Sequence, residues 1–148
     1  MRYLTLSFFL IATLSFANGQ TVELELKPVK KDYYAWITSL NEGPVNWLDE
    51  PEGEIEGRAY RTCITTSKIY NSLYIEEVTF GTEGCCKQIA SKKELDLYEL
   101  FIKFGLTGEV ANVEFSKWVN KSTFQLQIQN QLFSIVIQRT TATIKRAN

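Results

Sequence analysis

The chain has 148 residues, with 16 basic and 17 acidic side chains, a net charge of −1, three cysteines and no histidine. Near-neutrality removes the electrostatic case for binding nucleic acid. The missing imidazole removes Ser-His-Asp and Cys-His catalysis, together with the commonest zinc and copper sites.

Residues 1–19, MRYLTLSFFLIATLSFANG, join an early Arg2 to an apolar run and place the small residues Ala17 and Gly19 three and one before a cut. This is the pattern of a secretory signal peptide, with the mature chain beginning at Gln20 and working in a secreted or periplasmic setting. The apolar run from Tyr3 to Phe16 falls short of the roughly 20 residues a membrane-crossing helix needs, so no membrane insertion is expected after cleavage. The remaining residues, 20–148, are enough for a single β-rich globular domain.

Thr21 to Val29 (TVELELKPV) alternates Val22, Leu24 and Leu26 with Glu23, Glu25 and Lys27, the period of a half-buried strand that Pro28 ends or marks as an edge. A second, aromatic run spans Tyr33 to Leu40. Asn41 to Gly57 is broken by glycines and prolines, and it reads mostly as a long loop, a feature that in a compact domain points to function or poor order. Nine acids against four bases fall between Gln20 and Arg58. Asp49, Glu50, Glu52, Glu54 and Glu56 offer oxygens to calcium, but their spacing does not fit an EF-hand loop, and a solvated acidic loop is the simpler reading. Trp47, inside the loop, with Asp49, Glu50, Tyr33 and Trp36, forms the candidate contact surface, because aromatic residues concentrate at interface centres. For Tyr34 and Trp36 the competing reading is core packing.

RAYRTCITTS, KIYNSLYIEEVTF and CCKQIA read as strands, with a hairpin over Phe80 to Cys85 and a second turn at Asn71-Ser72. Three cysteines in an oxidising compartment predict one disulfide. Face matching along the strands favours Cys63 with Cys86, with Cys85 as the alternative partner, and such a bond would stabilise by about 3 kcal/mol. Ser91 to Glu94 (SKKE) has the form of a capping box that starts a helix near residues 92–104. Leu97, Leu100, Phe101 and Phe104 give that helix an apolar stripe, and Gly105 is placed to end it.

EVANVEFSKWV reads as a strand, and STFQLQIQNQLFSIVIQ as a hairpin turning near Asn130, in which Phe124, Leu126 and Ile128 alternate with Gln125, Gln127 and Gln129. Asn120-Lys121-Ser122 would accept an N-linked glycan in a eukaryotic source. The expected fold is α+β: a mainly antiparallel sheet of about seven strands with one helix, or alternatively a small β-barrel with one appended helix. No nucleotide-binding, metal or cofactor motif is present, so neither a metal nor a cofactor is expected. The expected function is a secreted, non-enzymatic binding or inhibitory module that meets a protein or carbohydrate partner through the acidic, aromatic loop 41–57. The alternative is a carboxylate-based hydrolase acting on carbohydrate, which needs no histidine.

Overall fold

Alternating sequence is converted into a nearly closed barrel. The computed structural model describes residues 19–29, 36–49, 55–66, 71–81, 85–106 and 113–147. These form ten strands: β1 (Thr21–Pro28), β2 (Trp36–Glu42), β3 (Asn46–Asp49), β4 (Ile55–Thr66), β5 (Asn71–Phe80), β6 (Gln88–Leu95), β7 (Val113–Asn120), β8 (Thr123–Ile128), β9 (Gln131–Ile137) and β10 (Thr141–Arg146). One helix, α1 (Leu97–Phe104), joins β6 to β7. The antiparallel sheet runs β2-β4-β5-β6-β1-β10-β9-β8-β7, with β3 added to β4 beside β2. The barrel-plus-helix alternative therefore describes the molecule, with ten strands where about seven were expected. The predicted signal peptide lies outside the described residues, apart from Gly19.

β1 ties the two halves of the sheet together. Thr21 to Glu25 pair with β10, and Leu26 to Pro28 pair with β6. Its alternation is the expected one, with Leu24 and Leu26 buried and Glu23 and Glu25 exposed. The β8–β9 hairpin turns at Gln129 and Asn130, both with positive φ (48° and 62°), a two-residue turn whose twist matches that of the flanking strands. Phe124, Leu126, Ile128, Phe133, Ile135 and Ile144 are fully buried with Leu24, Leu73, Leu95 and the helix stripe in one core. These side chains make one continuous apolar core inside the barrel.

α1 buries Leu97, Leu100, Phe101 and Phe104 into this core, with Phe104 edge-on to Phe133 at 5.0 Å. Gly105 ends it at φ 61°, its N–H donating to Ile102 O while Leu106 N–H donates to Phe101 O. The start differs from the expectation. Ser91 to Glu94 belong to strand β6, paired with β5 and β1, and the N-cap is Asp96, whose Oδ1 accepts the Glu99 N–H at 3.0 Å. Asp96 to Glu99 is a second Asp-x-x-Glu cap signal five residues downstream, and strand pairing selected it over the SKKE box.

Asn71 and Ser72, expected in a turn, open β5, and the 41–57 region is largely strand: β2 runs on to Glu42, Asn46 to Asp49 form β3, and β4 begins at Ile55. The C-terminal TATIKR is strand β10, with Ala142 and Ile144 buried.

The helix assignments predict a ranking in denaturant melts. Phe101→Ala should cost about 3 to 5 kcal/mol through lost burial and a cavity, Asp96→Ala about 1 kcal/mol through a lost cap, and Ser91→Ala much less than either. Burial opposes the Asp96 charge, but the Glu99 N–H and Lys27 outweigh it and hold the carboxyl below its ordinary value of 3.8. A depressed carboxyl stabilises above its unfolded pKa and loses that stabilisation as pH falls through the folded one. The gap between wild type and Asp96→Asn should therefore shrink in acid below about pH 4.

Candidate binding surface

Strands β4 and β5 are buried on both faces. Ile64, Leu73 and Ile75 look into the core, while their neighbours Ala59, Cys63, Tyr74, Glu76, Val78 and Phe80, which point outward by strand alternation, are also buried. Register orders this outer face in rows. Leu40 pairs with Cys63 and Cys63 with Tyr74; Glu42 pairs with Arg61, Arg61 with Glu76 and Glu76 with Lys92. Beyond them Ala59 pairs with Val78 and Val78 with Ile89; Trp47 pairs with Gly57 and Gly57 with Phe80.

The middle row carries the charge. Arg61 reaches Glu76 Oε2 with both Nε (2.7 Å) and Nη2 (2.6 Å), and Lys92 Nζ stands 3.6 Å from the other carboxylate oxygen. The Glu76 side chain is only 4% exposed, so two cations in direct contact are what make its burial tolerable. Lys92 also lies 4.8 Å over the Tyr74 ring, and Lys87 pairs with Glu42 while facing the Phe80 ring at 5.5 Å. Burial, and then the neighbouring Glu76 charge, push the Cys63 thiol upward, against the opposing pull of Lys92 and Arg61.

Large apolar side chains stand exposed on this face. Trp47 is 49% exposed, Leu40 48%, Ile89 54% and Ile37 60%. Trp47 rests on Gly57, where a Cβ would fall 2.8 Å from its ring, and 6.4 Å from Phe80 at a tilt of 48°. Its indole is therefore held up by a missing side chain, half in contact and half in water. Of the other expected contact residues, Trp36 opens β2 and Asp49 ends β3, both placed by backbone alone; Tyr33 and Glu50 lie outside the described residues, as do Glu52 and Glu54. The sequence pointed to Trp47 and missed Leu40, Ile37 and Ile89, whose common face only register reveals.

None of the three cysteines is in a disulfide, which corrects the pairing expected for Cys63 with Cys86 or Cys85. Cys63 lies six positions along β4 from Gly57, and Gly57 is the partner of Phe80, the last residue before the connection that holds Cys85 and Cys86. Six strand residues span about 20 Å, far beyond the roughly 4 to 7 Å between Cα atoms that a disulfide allows. Face matching does not apply either, because Cys85 and Cys86 precede β6 and are not strand residues.

Cavities lined by described residues lie near the surface. One of about 250 Å³ opens at the end of the barrel away from α1, lined by Pro44, Asn46, Arg58, Tyr60, Glu77 and Lys121 among others. There burial, with Glu77 adding to it, raises the Tyr60 hydroxyl above its ordinary value. Another, of about 350 Å³, brings Glu94 and Asp96 together with Lys27, Asn71, Ser72 and Tyr98. Asp96 caps the helix and pairs with Lys27 at 3.1 Å. Asn120 is exposed at the β7–β8 turn, where its Oδ1 accepts the Ser122 N–H at 3.0 Å. Among the described residues no cluster of three or more Cys, Asp or Glu side chains is placed to hold a metal ion.

In comparisons with known proteins, the chain matches no family model, no curated protein and no solved structure.

The charge row yields a stability contrast. Glu76→Gln leaves Arg61, itself 14% exposed, without its counter-charge, and should cost about 3 kcal/mol. Glu56→Gln breaks the open pair with Arg58 and should cost under about 1 kcal/mol. Urea midpoints of the two variants measure both.

Proposed function

We propose that the chain is a non-enzymatic binding or inhibitory module that works outside the cytosol, a setting that follows from the signal-peptide pattern expected of residues 1–19, and meets a protein or carbohydrate partner through the outer face of β2, β3, β4 and β6. The observation that carries this reading is Trp47 on Gly57. A large aromatic held half-exposed by a glycine, beside Phe80 and within a face that also presents Leu40 and Ile89, has the composition of an interface centre, with Glu42 and Lys87 as its polar rim. The buried core leaves Trp47, Leu40, Ile37 and Ile89 as the large apolar side chains exposed on this face, and these are what a partner would cover. The carbohydrate-hydrolase alternative concerns the acids of loop 41–57, of which Glu50, Glu52 and Glu54 lie outside the described residues.

Trp47→Ala, Gly57→Ala and Tyr98→Ala test the assignment. Gly57→Ala keeps the indole but forces it outward, and Tyr98 is a control 70% exposed on α1. Immobilised wild type and variants are compared for capture from the extracellular or periplasmic fraction and on a glycan array. Capture should fall at least tenfold for the first two, equivalent to about 1.4 kcal/mol or more, and stay unchanged for Tyr98→Ala. Equal capture by wild type and Trp47→Ala would reject the surface.

A further inference from the structure

We propose that Cys85 and Cys86 are a modification site, separate from the binding surface: an adjacent dithiol that a small disulfide oxidises to an internal ring closed through a single peptide bond. Both residues are exposed, whereas Cys63 is buried. In an extended strand successive Cβ atoms point to opposite faces, which keeps neighbouring thiols apart. Here that alternation is broken, because the pair lies in the connection before β6 and Cys86 has φ 58°, in the left-handed region that cysteine rarely enters. Gly81 N–H donates to Cys85 O at 2.8 Å, fixing the first cysteine against the end of β5. A Cβ on Gly81 would stand 3.1 Å from Cys85 Sγ, so the glycine leaves the space this thiol occupies.

The chemistry balances with one oxidant, a low-molecular-weight disulfide. One protein thiolate attacks it, forms a mixed disulfide and releases one small thiol. The neighbouring thiolate then attacks the protein sulfur of that bond and releases the second. The protein loses two electrons and two protons, and both appear in the two thiols released. The second step is intramolecular between adjacent residues and needs no second chain.

Oxidised glutathione is the probe, applied to the reduced full chain, followed by alkylation and intact and peptide mass spectrometry. The expected result is a mass lower by two hydrogens, an internal disulfide on the peptide holding Cys85 and Cys86, and a Cys63 thiol that alkylates only after unfolding. Cys86→Ser should instead accumulate a stable glutathione adduct on Cys85, because the resolving thiol is gone. A persistent adduct on the wild type, a disulfide-linked dimer, a bond to Cys63, or no adduct on Cys86→Ser would each overturn the proposal.

Discussion

The two ends of the sheet meet through side chains: Trp118 of β7 reaches Asn41 of β2, and Lys121 in the following turn donates to Asn46 Oδ1 of β3 at 2.5 Å. β2 and β7 are the two ends of the sheet order, and among the described residues no backbone ladder joins them. Trp118 bridges the gap: its Nε1–H donates to Asn41 O at 3.3 Å, and its ring lies against Gly43, where a Cβ would be 3.0 Å away. The same ring packs on Phe124 at 5.3 Å and Phe115 at 6.1 Å, so a single indole is at once core, edge cover and hydrogen-bond donor. Its dual position comes from an irregularity in β7. Phe115 pairs with Leu126 and Trp118 with Phe124, with the register shifting between Phe115 and Lys117, and this brings two aromatics three apart onto the inner face. An unpaired edge would otherwise invite other chains to add strands.

The outer face of the sheet carries as much of the architecture as the core does. β4 and β5 are the longest strands and the ones buried on both sides, an unusual load for an antiparallel sheet, which commonly leaves one face to solvent. The outer side bears a carboxylate clamped between Arg61 and Lys92, with an apolar row on either side. Such a pair adds little net stability over an apolar replacement but is costly to break. The clamp spans β4, β5 and β6 on the same face that carries Trp47 and Leu40.

Much of this was legible locally. β1, the β8–β9 hairpin and the helix stripe follow from periods of two and of three to four, and Gly105 and Asn130 mark their own turns. The remainder depended on distant partners. Ser91-Lys92-Lys93-Glu94 satisfies a helix-start pattern, but β5 and β1 offer those residues backbone partners on both sides, and Asp96 with Glu99 supplies a cap where pairing stops. β3 is hidden in a glycine- and proline-rich stretch because what makes it a strand is its ladder with β4, not its own alternation. The cysteine pairing failed for the same reason, since spacing along the chain does not reveal that Cys63 and Cys86 lie toward opposite ends of β4 and β5. Trp47 was recognisable as an exposed aromatic, yet Leu40, Ile37 and Ile89 share its face only through register.

Amide hydrogen exchange on Trp118→Ala tests the closure most directly. If the indole is the latch, exchange should quicken at the Gly43 amide and along β2 and β7, while Leu73 to Glu76 in the doubly buried β5 keep wild-type protection. Unchanged exchange at Gly43 and β7, or an equal loss of protection through β5, would contradict the account.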